Sequence, residues 1–122
     1  MEKEPLFNVK NVDDVMVIEI VGDLDVTTSP RLKVKLESLI RFGYQKIVVN
    51  LGKVNMLDST GVGSLIYGLK MIDQTMGDLK LAELSPHHAN IFNVLELDRV
   101  FSIFPNEDLA ISSFLSDSAT MH

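Results

Sequence analysis

Residues 46–72, KIVVNLGKVNMLDSTGVGSLIYGLKMI, constrain this chain more than any other stretch. Val48, Val49 and Leu51 form a short apolar run rich in β-branched side chains, the pattern of a strand covered on both faces. The period then changes. Asp58, Ser59 and Thr60 supply the acid and hydroxyls that satisfy free N–H groups at a helix start. Val62, Leu65, Ile66, Leu69, Ile72 and Met76 follow on one helical stripe. Gly61, Gly63 and Gly68 fall inside that helix, each less stable than alanine there by about 1 kcal/mol. Some requirement other than helix stability places them.

The flanking sequence has the same alternation. Phe7-Asn8-Val9 and residues 15–21 read as two strands joined around the turn formers Asn11, Asp13 and Asp14, and the short connection favours an antiparallel hairpin. Ser29 before Pro30 marks a helix start, Leu32, Leu36, Leu39 and Ile40 recur at helical spacing, and Gly43 is a natural C-cap. The central strand and helix run on to about residue 76. A strand at residues 79–84 comes next, then a helix opened by Ser85-Pro86 with His88, Ile91, Phe92 and Leu95 on one stripe. Residues 100–104 read as a last strand, and Asn106, Glu107 and Asp108 open a final helix to about residue 115.

The expected order is β-β-α-β-α-β-α-β-α: an α/β domain with a mixed, mostly parallel sheet of four to five strands and about four helices. It spans residues 1–116, and residues 117–122 are expected to form a flexible polar tail. No apolar run reaches the length of a membrane span, and the acidic N-terminus does not read as a signal peptide. With no cysteine there is no disulfide framework or thiolate metal site, and a cytoplasmic location fits best. Seventeen acids against eleven bases give a net charge of −6 without clustered Lys or Arg, which argues against nucleic acid and for partners with cationic patches.

Beside the core stripe of the central helix lies a second one: Gly61, Ser64, Gly68, Met71 and Thr75. Small residues there either let the helix approach the sheet or another helix, or leave a flat face where a partner can dock. Ser59 also has two readings. It can be a helix cap worth about 1 kcal/mol. It can also be a phosphorylation site, because a helix N-terminus welcomes an anion and roughly two added negative charges would alter any surface there. A nucleophile is disfavoured: Leu57 stands where a nucleophile elbow needs its first glycine, so Gly61 alone does not complete the pattern, and His87, His88 and His122 lie elsewhere in the sequence. Gly61-Val62-Gly63-Ser64 lacks the lysine and spacing of a phosphate-binding loop. Adjacent His87 and His88 cannot both ligate one metal from a helix, so no metal site and no cofactor is expected. Asp23 and Asp25 are a possible carboxylate pair.

Three segments together resemble the STAS-domain family. Gly22-Asp23-Leu24-Asp25 with Thr28-Ser29-Pro30 resembles its opening signature, residues 54–65 resemble the phosphorylation segment of bacterial anti-sigma factor antagonists, and Leu97-Asp98-Arg99-Val100-Phe101 resembles a third shared stretch. The resemblance implies a regulatory protein without enzymatic activity. Its partners would be an anti-sigma factor serine kinase, whose sigma factor it frees, and a serine phosphatase. Phosphorylation at Ser59 would weaken the kinase complex, and the magnesium and ATP would belong to the kinase. Asp23, Asp25, Asp58, Ser59, Thr60, Gly61, Gly63, Ser64 and Gly68 would form the partner-binding segment, with Thr60 a possible minor site. Glu96 stands where many relatives carry glycine, so the preceding helix is open to a different ending. Two other classes stand beside it: a STAS scaffold that never cycles phosphate, as a subunit of a signalling or transport assembly, and a small nucleotide-binding protein or hydrolase, suggested only by the glycines near Ser59.

Overall fold

The computed structural model describes residues 6–119. Strands β1 (Leu6–Val12) and β2 (Val15–Leu24) pair antiparallel, in register from Leu6 opposite Val21 to Val12 opposite Val15. Asp13 and Asp14 join them with φ of 51° and 69°. Two left-handed residues are what a two-residue hairpin requires, and aspartate tolerates that conformation better than most side chains.

After helix α1 (Ser29–Phe42), strands β3 (Lys46–Leu57), β4 (Asp78–Ala82) and β5 (Ile103–Phe104) add in parallel, giving the sheet order β1-β2-β3-β4-β5. Helix α2 (Ser59–Asp73) links β3 to β4, α3 (Pro86–Val94) precedes β5, and α4 (Glu107–Ala119) follows it. This is the expected α/β class and element order, with a mixed sheet of five strands.

Period-two alternation along the inner strands gives the sheet two buried faces. Met16, Ile18, Ile20, Ile47, Val49 and Leu51 point to the larger core, where α1, α2 and α3 contribute Leu32, Leu36, Val62, Leu65, Ile72 and Phe92. Val15, Val17 and Val48 point the other way, under Ala110, Ile111 and Phe114 of α4. Lys80 faces this second layer fully buried. Its Nζ donates to Ser113 Oγ at 2.7 Å and lies 4.2 Å from the Phe114 ring centroid, so its charge is hydrogen-bonded and faces an aromatic ring. Asn50 ties the N-terminus of α4 to the sheet, donating to Glu83 Oε2 at 3.0 Å and Glu107 Oε2 at 2.6 Å.

Several boundaries differ from those read in the sequence. The N-cap of α1 is Thr28 rather than Ser29, and Ser29 is the first helical residue. Helix α2 stops at Asp73, and Met76 reverses the chain with a φ of 66°. Strand β4 ends at Ala82 rather than residue 84, because Glu83 turns to a φ of 62°. Strand β5 has two residues instead of five, because a 3-10 turn at Leu97–Arg99 uses the chain ahead of it. Glu96 adopts φ 57°, ψ 24°, the conformation a glycine would supply, and so α3 ends as it would with glycine. Leu95 is exposed, which leaves His88 and Phe92 as the buried part of the α3 stripe. Helix α4 continues through Ala119, past the predicted end near residue 115 and into the expected tail; residues 120–122 lie outside those described.

Candidate functional site

The segment after β2 and the junction between β3 and α2 meet at one end of the sheet. The last pair of the β2–β3 ladder, Leu24 opposite Leu57, brings them together. Asp58 is extended (φ −107°, ψ −177°), and its backbone N–H donates to Leu24 O at 3.3 Å. Its side chain then caps α2, with Oδ1 accepting the Gly61 N–H at 2.9 Å and the Thr60 hydroxyl. The Thr60 hydroxyl is the largest influence holding the Asp58 carboxyl below the usual range, followed by the Gly61 N–H; burial opposes them, and weaker contributions from the Thr60 and Val26 backbone add to the lowering.

Asp58 therefore fills the cap position that sequence reading had also allowed for Ser59. Ser59 is instead the first helical residue, and it is exposed. Thr60 is exposed beside it.

Asp25 organises the loop before α1. Its Oδ1 accepts from Thr27 N at 3.0 Å, Thr27 Oγ1 at 2.7 Å and Thr28 N at 3.2 Å, and its carbonyl accepts Ser29 N at 2.8 Å. The Thr27 hydroxyl contributes most to keeping this carboxyl in its charged form. Thr28 Oγ1 donates to Asp23 O at 2.8 Å and accepts Asp25 N–H at 2.9 Å, which closes the turn. The Asp23 carboxylate acts elsewhere, accepting Met56 N–H from the end of β3 at 3.1 Å. Asp23 and Asp25 thus use their carboxylates on different partners and form no catalytic pair.

The stripe of small residues on α2 turns inward. A Cβ on Gly61 would collide with the Leu24 carbonyl, and one on Gly68 would lie 2.6 Å from Leu36 Cδ1 and 3.2 Å from Leu79 Cδ1. Ser64 is fully buried, and its hydroxyl donates to Gly61 O at 2.6 Å. These residues let α2 approach the end of β2, α1 and β4, and the expectation that Gly61, Ser64 and Gly68 present a docking face is corrected. They are occupied by the protein's own packing. Gly63 differs, since a Cβ there would meet nothing within 4 Å. The Gly61 N–H is used by Asp58, so the glycines do not form an open phosphate cradle.

What remains accessible at this end is an edge of Asp23, Asp25, Asp58, Ser59, Thr60 and Gly63. Two apolar residues that sequence reading passed over join it: Val26, 64% exposed, and Met56, 57% exposed. Their signal was adjacency to the motif residues, which composition and period do not reveal. His88 lies buried beneath the same region, with Nε2 3.1 Å from Asn55 O. Among the described residues no group of three or more His, Cys, Asp or Glu is placed to hold a metal ion, and no helix is long and apolar enough to cross a membrane.

Comparison with known proteins agrees with this architecture. The family model of the STAS domain matches residues 7–110. The anti-sigma-B factor antagonist of Bacillus subtilis is 31% identical over 96 residues, covering 79% of this chain and 87% of the relative. An anti-sigma factor antagonist from Mycobacterium paratuberculosis superposes with a TM-score of 0.82 at 22% identity, over 90% of this chain and 93% of the other. The Bacillus cell fate determinant SpoIIAA in its phosphorylated form gives a TM-score of 0.72 at 23% identity, over 89% and 99% of the two chains. At these identities the two structures speak for the fold.

Proposed function

The chain belongs to the STAS-domain family, and we propose that it is an anti-sigma factor antagonist switched by phosphorylation of Ser59. In its unphosphorylated form it binds an anti-sigma factor that is itself a serine kinase, and that binding releases the sigma factor. The kinase transfers phosphate to Ser59, the complex weakens, and a serine phosphatase restores the competent form. The protein contributes a surface and an acceptor hydroxyl and catalyses nothing itself.

One observation carries this reading: Ser59 is exposed at the first position of α2 while its neighbour Asp58 performs the capping. A serine needed as a cap would lose that role on modification. Here the helix start is closed without Ser59, and its hydroxyl is available to a kinase. A phosphate carries about −1.5 to −2 charges at neutral pH. The helix macrodipole favours an anion at this end, so the fold tolerates the group. The edge formed with Asp23, Asp25 and Asp58 goes from about −3 to about −5, and because the kinase must bring a nucleotide phosphate to the Ser59 hydroxyl, a phosphate already there meets like charge and bulk at that point.

The proposal is tested by incubating the chain with its cognate kinase, Mg²⁺ and ATP and mapping the product by mass spectrometry. One phosphate on the peptide containing Ser59, absent in Ser59→Ala, is the expected result. Full modification of Ser59→Ala at a single site assigns the switch to another residue.

A further inference from the structure

Val26 and Met56 are large apolar side chains left in solvent at the edge that carries Ser59. Isolated exposed apolar residues are common on protein surfaces and need no role. These two differ in how they are held. The Met56 N–H is bound by the Asp23 carboxylate at 3.1 Å, so the end of β3 is fixed to the end of β2. Val26 lies inside the turn that the Asp25 carboxylate closes on the Thr27 and Thr28 N–H groups, and the Leu24 carbonyl just before that turn accepts the Asp58 N–H at 3.3 Å, so the loop after β2 is fixed to the start of α2. Met56 is thus held through its backbone by an aspartate of β2 and Val26 by the turn that Asp25 closes, and both side chains are left outward. Fixing the backbone of an exposed side chain lowers the conformational entropy lost when a partner covers it.

We infer that Val26 and Met56 are the apolar anchors of the docking edge, and that the partner surface they enter is an apolar depression rimmed by Lys or Arg. The inference rests on the proposed function, because its partner is the kinase that phosphorylates Ser59. Charge complementarity selects the rim. Asp23, Asp25 and Asp58 surround the anchors, and the last two hold their carboxyls ionised below the usual range. A partner that buried Val26 and Met56 against acidic or neutral groups would bring those carboxylates into repulsion or leave them without counter-charge. Interfaces commonly combine a few apolar anchors with a charged rim, and the anchors dominate the affinity.

The test measures affinity of the purified kinase by titration calorimetry for Val26→Ser, Met56→Gln and the double variant. All keep the Met56 N–H that Asp23 binds and the turn that Asp25 closes around Val26. Val34→Ser on α1 serves as control, because Val34 is 66% exposed and lines a groove with Phe7, Lys35 and Ser38, none of which belongs to this edge. Thermal melts establish that each variant folds, and Val26→Thr, of the same shape, replaces Val26→Ser if that variant does not.

The expected result is a loss of about fivefold for each single change and at least about tenfold for the double variant, with Val34→Ser unchanged. Binding of the wild type should also weaken as salt is raised. A double variant that binds within twofold of wild type, or a Val34→Ser loss equal to that of Val26→Ser, overturns the anchor assignment. Salt-independent binding overturns the basic rim. Neither result touches the phosphorylation switch, which fails separately if Ser59→Asp binds as tightly as wild type.

Discussion

Asp58 Oδ1 accepts the Gly61 N–H at 2.9 Å, so the start of α2 is closed by the residue beside Ser59. Cap and acceptor hydroxyl are therefore separable by mutation. Asp58→Ala removes the cap and should destabilise the fold by about 1 kcal/mol, whereas Asp58→Asn, an equally good cap, should stay within a few tenths of wild type. Urea denaturation of the two variants checks this. Ser59→Ala should leave the midpoint nearly unchanged, because Ser59 caps nothing.

Gly61 and Gly63 are two residues apart on α2 and should respond in opposite directions to alanine. The Gly61 Cβ would meet the Leu24 carbonyl, which is backbone and cannot rotate away. Gly61→Ala should cost about 1–3 kcal/mol, as overpacking does, and should displace the start of α2. Gly63 faces open space, so Gly63→Ala should be neutral or gain up to about 1 kcal/mol through helix propensity. Thermal unfolding of both variants decides whether the glycines are placed for approach or for chain flexibility.

The attachment of α4 should depend on pH. Glu107 feels a rise from burial, but hydrogen bonds from Asn50 and Lys10 and the Lys10 charge outweigh it and hold the carboxyl below its ordinary value. The same pair raises Lys10, and the two shifts describe one interaction, with Lys10 Nζ 2.9 Å from Glu107 Oε1. A carboxylate whose folded pKa is depressed contributes stability above its unfolded pKa, and that contribution disappears as pH falls through the folded value. Lys10 is largely exposed, so the ion pair itself is worth about 1 kcal/mol at most. Glu107→Gln should be less stable than wild type at pH 7. The difference should begin to shrink near the ordinary glutamate value of 4.5 and vanish in stronger acid. A difference that stays constant down to pH 2 would show that the charge on Glu107 is not what anchors α4.

The strand and helix order could be read from local pattern because it is written in period: Val48 and Val49 alternate between the two layers, and Leu32, Leu36 and Ile40 return every turn. Asp13 and Asp14 announced their own turn. The direction of the small stripe on α2 was not legible, because glycine spacing is the same whether the neighbour is the protein's own Leu24 or another molecule. Tertiary approach decides that. The last strand reads as residues 100–104 in the sequence but is shorter, because the N–H groups of Val100 and Phe101 are used by the Leu97 carbonyl in the 3-10 turn, which the sequence does not advertise. Ser59 and Asp58 both offer cap chemistry, and only the extended geometry of Asp58 assigns the cap. Val26 and Met56 became visible only once the Asp25 turn and the Asp23 carboxylate were seen to fix the backbone at each.

The central claim is that charge at Ser59 governs partner binding while the fold stays intact. It is tested most directly by measuring the affinity of the purified anti-sigma factor kinase for Ser59→Ala and Ser59→Asp at one salt concentration, with the melting temperatures of both. The account predicts that Ser59→Ala binds as wild type and that Ser59→Asp binds at least about tenfold more weakly, a difference of about 1.4 kcal/mol, with both proteins melting within a few degrees of wild type. Equal affinities for the two variants, or a loss for Ser59→Asp that is matched by unfolding, would contradict it.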